Sequence, residues 1–258
     1  MSNMLDNNKI LFERNKKIRL GQVNKNKFGT PMQIIKYKDA NHIIIKFEDE
    51  HGFEKETEYK CFKKGEISNP YDRTIYGIGY LGIGRYISHT KMYDIWCKMI
   101  QRCYTNKHKY PTYSDCTVCD EWHNFQNFAK WYCENYYEVP NQKMCVDKDI
   151  LHKGNKVYSP DNCMIVPNNI NALFTKRQNC RGNLPIGVCY NKKYFIAYCN
   201  NGKGKSVTLG YYNNKNDAFQ SYKLYKENLI KTIAEKFKSV IPNELYISLL
   251  AYEVSIND

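Results

Sequence analysis

The 258-residue chain has no long apolar run. Its uninterrupted hydrophobic stretches last a few residues, Ile43 to Ile45 among them, against the roughly 20 needed to cross a bilayer. No membrane partner is expected. The first ten residues, MSNMLDNNKI, lack a basic segment followed by an apolar stretch and a small-residue cleavage site, so nothing marks the chain for export. The cytoplasm of a bacterial host cell is the expected location. A second Cys-x-x-Cys is missing as well, so Cys116 and Cys119 cannot alone supply the four ligands of a structural zinc, and zinc is not expected. The eleven cysteines are odd in number and follow no leader, which argues against a disulfide framework and for reduced, buried thiols. Acidic residues are absent from two long tracts. Arg14 to Lys38 holds eight Lys/Arg and no carboxylate, and Asn162 to Asn216 holds another eight.

What is present is a basic chain with enough apolar residues to fold: 39 Lys+Arg against 26 Asp+Glu, a formal charge of +13, and 42% hydrophobic residues. A composition rich in Lys and Asn raises positive charge everywhere, but it does not clear carboxylates from selected tracts. A solvated surface mixes both signs, so acid-free basic tracts favour a polyanion, and double-stranded DNA is the expected partner.

Along the chain, residues 9 to about 70 alternate β-prone runs with turns: Met32 to Lys38, Asn41 to Glu48, then Glu56 to Phe62. This pattern predicts a small antiparallel sheet or barrel. Gly77, Gly79 and Gly82 form a G-x-G-x-x-G match, but a further Gly84 and Arg85 follow where a dinucleotide site needs a helix to open. A flexible linker with a boundary near Gly84 to His89 is expected instead. From Lys91 the spacing turns helical, with Tyr93, Trp96, Met99 and Ile100, and again with Trp122, Phe125, Phe128 and Trp131. Two amphipathic helices burying aromatic stripes follow from this.

The stretch from Cys145 to Phe174 carries the chemistry. Cys145-Val146-Asp147-Lys148-Asp149 leads into a Gly154-Asn155 turn and a Ser159-Pro160-Asp161-Asn162 turn, then Met164-Ile165-Val166 and a helix start at Pro167-Asn168. It reads as strand, loop, strand, short helix. Such a ββα unit can bring Asp147, at the end of its first strand, and Asn171, on its helix, around one divalent ion. Hard oxygen ligands that leave water positions open suit magnesium or manganese.

These residues resemble the HNH (His-Asn-His) nuclease family, the ββα-metal finger of phage and homing endonucleases. In the family pattern, Asp-His ends the first strand, an Asn lies in the following turn, and Asn or His comes nine residues later. Here Asp147-Lys148 stands at the first pair, Asn162 in the turn, and Asn171 nine residues on. The Trp96-x-x-Met99 and Arg102-Cys103-Tyr104 run also looks like the helical lead-in of phage proteins of this type. The resemblance implies that Asp147 and Asn171 ligate one Mg2+ or Mn2+ and that Asn162 shapes the loop. It departs at the general base, where Lys148 replaces His. A lysine starts from a pKa near 10.4, and flanking carboxylates do not lower it. Three outcomes stay open: His152 serves as base, Lys148 only stabilises phosphate while metal-activated water attacks, or cleavage is lost and binding retained.

After this segment, Ile186-Gly187-Val188, Lys192 to Ala197 and Val207 to Tyr212 suggest three strands, followed by a helix from about Lys215 with Ala218, Tyr222 and Tyr225 on one face. The order of Gly-Val, Tyr-x-x-Ala, Leu-Gly-x-Tyr and Ala-x-x-x-Tyr motifs resembles the Apetala-type DNA-binding domain. That resemblance implies a sheet laid into the major groove and makes Lys192, Lys193, Tyr194, Tyr198, Lys203 and Lys205 candidate DNA contacts. Arg181, in the same basic tract, is a further candidate.

The expectation is an α+β chain with an N-terminal β-rich module (1–87), an HNH-like nuclease (88–180) and an Apetala-type module with C-terminal helices (181–258). Its expected activity is metal-dependent cleavage of DNA. The alternatives are an inactive DNA-binding or regulatory protein and an inhibitor of a nucleic-acid machine.

Overall fold

The computed structural model describes residues 2–105, 108–175 and 182–258. The chain is α+β, as its sequence pattern implies, and falls into two compact units. One comprises residues 1–93 and 122–127, the other 94–121 and 128–258. No described helix is long and apolar enough to cross a membrane.

The first unit starts with a helix, α1 (Ser2–Arg19), where a β-rich run was expected from residue 9. Neither Gly nor Pro interrupts Ser2 to Leu20, and Gly21, at φ 80°, ends the helix. Phe12 of this helix packs on the core, while Ile10 and Leu11 stay exposed. Few apolar residues therefore mark α1, which is why its period is faint in the sequence. Four antiparallel strands follow in meander order: β1 (Val23–Lys25), β2 (Pro31–Tyr37), β3 (Ile43–Phe47) and β4 (Glu54–Thr57). Met32 and Ile34 point inward opposite Phe47 and Ile45. A bulge between Ile34 and Lys36 then changes the parity, so that Tyr37 also faces the core.

Of the expected strand over Glu56 to Phe62, only Glu56 and Thr57 are strand. After β4 the chain turns into α2 (Tyr59–Lys64), whose Phe62 closes the sheet and whose end is set by Gly65 at φ 67°. The glycine-rich segment is not a loose linker either. Tyr80 donates its N–H to the His123 carbonyl and accepts from the Phe125 N–H, both at 2.9 Å, and the Gly82 N–H donates to the Pro70 carbonyl. A Cβ on Gly82 would lie 2.2 Å from Asn124 Oδ1, and one on Gly84 2.2 Å from Gln126 Oε1. These glycines let backbone approach side chain; they do not provide slack.

In the second unit, the helices expected from aromatic spacing are present as α3 (Lys91–Tyr104) and α4 (Phe125–Asn135), whose first residues belong to the first unit. Trp96, Met99 and Ile100 on α3 and Phe128 on α4 are fully buried. Strand β5 (Thr117–Val118) is tied to the end of α3 by the Tyr104 hydroxyl, which accepts from the Val118 N–H at 3.0 Å. The central segment forms β6 (Met144–Asp147), β7 (Val157–Tyr158), β8 (Met164–Pro167) and α5 (Asn168–Asn171). β6 and β8 pair antiparallel, while β7 runs parallel to β5.

The C-terminal segment builds a sheet in the order β11-β10-β9, from β9 (Val188–Tyr190), β10 (Phe195–Asn200) and β11 (Ser206–Tyr212). α6 (Lys215–Phe237) packs across one face, and α7 (Asn243–Leu250) packs on α6. Asn214 caps α6 by accepting the Asn216 and Asp217 N–H groups. Val188, Ala197, Cys199, Ala218, Phe219 and Tyr222 form the core between sheet and helix.

Candidate functional site

All four residues of β8 are buried, which makes it the inner strand of the ββα element. β6 alternates instead: Met144 and Val146 face inward, and Cys145 and Asp147 share the other, half-buried face. Asn171 closes α5 and acts on the Cys145 thiol, lowering its pKa, while the thiol itself donates to the Val166 carbonyl at 3.4 Å. Asp147 acts electrostatically on the same thiol. Cys145 is thus the common neighbour of the two residues expected to share an ion. Burial pushes the Cys145 thiol up to about 11, helped by the Asp147 charge and opposed by Asn171 and by Arg102.

Burial also raises the Asp147 pKa above the usual carboxylate value, against two hydrogen bonds that favour the ionised form. Those bonds are the N–H groups of Asp149 and Ile150, each 2.8 Å from Oδ1. Asp147 therefore shapes the start of the loop with one oxygen and leaves Oδ2 for another partner. Nearby, burial lifts the thiol of Cys163 to about 12.

Lys148, next along the chain, is held by other groups. It is 5% exposed, and its ammonium donates to both Asp149 carboxylate oxygens at 2.9 Å and to the Asn155 carbonyl at 2.6 Å. Burial lowers its pKa, but the Asp149 bond together with the charges of Asp149, Cys116 and Asp147 outweighs this, and the net shift is upward. Its three N–H donors are matched by three acceptors. His152 sits exposed in the turn, with its carbonyl accepting from Asn155 N–H at 2.9 Å.

The loop between β6 and β7 is closed by Asn155, which the sequence marked only as part of a turn. Its amide donates to the carbonyls of Lys148 and Val157 and accepts from the Val157 N–H. Asn162, assigned that loop-shaping part by resemblance, is half-buried and donates its backbone N–H to the Ser159 carbonyl at 3.3 Å. Lys153 anchors the outer side of the loop to the C-terminal segment, bonding Asp258 at 2.7 Å and the Glu253 carbonyl at 2.8 Å.

The C-terminal sheet presents its open face opposite α6. Lys192 and Lys193 lie exposed in the β9–β10 turn, where Asn191 Oδ1 accepts the Lys193 and Tyr194 N–H groups. Lys203 and Lys205 lie exposed in the β10–β11 turn, ordered in the same way by Asn201. The two turns sit at opposite ends of β10, about 20 Å apart at the usual rise per strand residue. Tyr198 is exposed between them, and so is Tyr211, which sequence reasoning passed over. Alternation with the inward Tyr212 was its available signal. Tyr194 is half-buried, with Lys193 over its ring at 5.0 Å. Arg181 lies outside the described residues.

Among the described residues, no group of three or more His, Cys, Asp or Glu side chains is placed to hold a metal ion. The oxygen donors at the ββα face are one carboxylate and one amide. No protein-family model, no curated protein and no solved structure matches the chain.

Proposed function

We propose that the chain is a metal-dependent DNA endonuclease of the HNH type, with its centre at Asp147 and Asn171 and its C-terminal sheet as DNA reader. The observation that carries this reading is the placement of Asp147 and Asn171 on strand and helix of one ββα element, each of them shifting the Cys145 thiol. The two residues, 24 positions apart, are both half-buried there, and one oxygen of Asp147 is left over after loop capping.

The donor set fits a hard cation. One carboxylate oxygen and one amide oxygen, with water filling the rest, is the coordination style of Mg2+ and does not satisfy zinc. When bound, such an ion would supply charge neutralisation at a phosphodiester and its leaving oxygen. The chain's own contribution is to fix Asp147 through two backbone N–H groups, to place Asn171 at the end of α5, and to hold the loop through Asn155. Lys148 belongs to the loop framework in this reading. His152, exposed in the turn, is the side chain left to accept a proton from water.

Double-stranded DNA suits the sheet. Two lysine pairs about 20 Å apart would neutralise phosphates on either side of a groove, with Tyr198 and Tyr211 between them for base or sugar contact.

A second reading is favoured by one observation. Lys148, standing where the family has its general base, has its ammonium donors taken up by Asp149 and Asn155. A chain that binds DNA without cutting it, or that blocks a nucleic-acid machine, would carry such a replacement. Nicking of supercoiled plasmid with and without Mg2+ separates the readings. Metal-dependent nicking that Asp147→Ala and Asn171→Ala both abolish supports the endonuclease, whereas tight binding without nicking supports the second reading.

A further inference from the structure

The acid-free tract from Arg14 to Lys38 has no part in the ββα centre or the C-terminal sheet, yet it supplies most of one groove. The groove, of about 440 Å3, lies in the first unit between the end of α1 and the strands β2 and β3. Ile35 and Ile44 form its apolar floor. Both are half-buried, and Ile44 lies on the face of β3 turned away from the buried Ile43 and Ile45. Leu20, 46% exposed just beyond α1, adds an apolar wall.

Around this floor stand Lys16, Lys36 and Lys38, all exposed, and Lys36 is the cross-strand partner of Ile44. Among the described residues, none of the three lysines is paired with a carboxylate. Glu56 is the one carboxylate of the lining, and His42 is taken up by Asp39 at 2.9 Å. Three ammonium groups against one carboxylate leave the groove positive. Exposed lysines alone make an ordinary solvated surface. What distinguishes these is the apolar floor they surround, which calls for a ligand that brings negative charge to the rim and an apolar face to the middle. A duplex keeps its base faces stacked inside and would leave Ile35 and Ile44 in water, whereas an unpaired strand offers phosphates and free base faces together.

We propose that this groove holds an unpaired DNA strand, with Lys16, Lys36 and Lys38 neutralising its phosphates and Ile35 and Ile44 receiving a base or sugar. That the strand is DNA rests on the reading above; that the ligand is an unpaired polyanion rests on the groove.

The test uses the full chain and fluorescence anisotropy with a labelled oligothymidylate and a labelled duplex of the same length. Changing Lys16, Lys36 and Lys38 together to Gln should weaken oligothymidylate binding about tenfold or more near 0.1 M salt. It should also flatten the salt slope by about 2, at about 0.7 for each phosphate of a single strand. Duplex binding, assigned to the C-terminal sheet, should stay. The same change at Lys55, Lys63 and Lys64, exposed lysines of this unit outside the groove, should alter oligothymidylate binding by less than about twofold, because salt screens distant charges. Ile44→Ser should lower oligothymidylate affinity about threefold at an unchanged slope, since only apolar contact is lost. Ile35→Ser gives the same reading if Ile44→Ser does not fold. The proposal is overturned by a parent that does not bind oligothymidylate, by a groove variant that binds it as the parent does, or by an equal loss in the control variant. It is also overturned if the groove variant loses duplex as strongly as single strand, or if the isoleucine variants bind as the parent does. Selective loss of single-strand binding in a protein that never nicks plasmid keeps the groove and removes only the endonuclease.

Discussion

Lys148 and Asn155 hold each other: the lysine ammonium donates to the Asn155 carbonyl at 2.6 Å, and the Asn155 amide donates back to the Lys148 carbonyl at 2.9 Å. The pair closes the loop that leaves the ββα strand directly after Asp147. Lys148→Met strands the Asn155 carbonyl and one face of Asp149, and should lower stability by about 2–4 kcal/mol. Asn155→Ala should cost about 1–3 kcal/mol by freeing two carbonyls. Because the two residues satisfy one another, the double variant should be less destabilised than the single effects combined, by about 1 kcal/mol or more. Urea denaturation of the four proteins measures it, and simple additivity would show two independent contributions.

Asp147 combines a loop cap with the proposed ligand, and two substitutions separate these. Asp147→Asn keeps an oxygen to accept the Asp149 and Ile150 N–H groups, whereas Asp147→Ala keeps none. The Asn variant should fold with a Tm near the parent's, while the Ala variant should lose about 1–2 kcal/mol. Nicking should vanish in both. A fully active Asn variant would contradict the ligand assignment, since it lacks the charge that a divalent cation requires.

The sequence displayed those parts of the fold that repeat with a period. Trp96, Met99 and Ile100 lie a helical turn apart, and Ile43, Ile45 and Phe47 alternate, so burial could be read directly from them. Helix α1 was missed because its few apolar residues are largely exposed, and α2 because a six-residue helix is shorter than two turns and shows no repeat. The glycine segment misled for a different reason. Glycine marks close backbone approach as often as flexibility, and only Asn124 and Gln126, some 40 residues on, distinguish the two. At the candidate site, Asp147 and Asn171 were visible through family spacing, but Asn155 was not. Its part depends on carbonyls on both sides of the loop, at Lys148 and Val157, which a single turn residue does not announce.

Gly187 illustrates an approach that no other residue permits. It has φ 75°, and a Cβ placed on it would lie 2.0 Å from the Tyr222 ring, beneath which β9 begins. Gly187→Ala combines an unfavourable backbone conformation with a clash in the C-terminal core. A loss of about 3 kcal/mol or more is expected. Trimming the partner in Gly187→Ala/Tyr222→Leu should recover part of it. If Gly187→Ala unfolds at the parent's Tm, the close packing of β9 on α6 is incorrect.

Lys226 predicts a pH dependence. It is 9% exposed on α6, close to Cys199, with no carboxylate paired to it among the described residues, and burial holds its pKa below the usual lysine value. The unfolded chain then binds more protons than the folded one between the lowered pKa and about 10.4, so stability should rise with pH through that window. At pH 7 the charged ammonium is a liability. Lys226→Met should be about 1–2 kcal/mol more stable there and should lose that part of the rise. Tm measured from pH 7 to 10 for both proteins decides it, and parallel profiles would mean that the ammonium reaches water.

The lysine pairs at the two ends of β10 lead to a prediction about salt. If Lys192, Lys193, Lys203 and Lys205 each neutralise a phosphate, four condensed counterions leave the duplex on binding, and the logarithm of affinity falls with the logarithm of salt by about 0.9 for each. Changing all four to Gln should flatten the slope by about 3 to 4 and weaken binding similarly on any sequence. Tyr198→Ala and Tyr211→Ala should behave differently, because an uncharged ring releases no counterion: affinity should drop while the slope stays. Fluorescence anisotropy of a short duplex between 50 and 200 mM salt distinguishes the two classes. An unchanged slope in the four-lysine variant would move the DNA off this sheet and onto the basic tract that runs from Arg14 to Lys38.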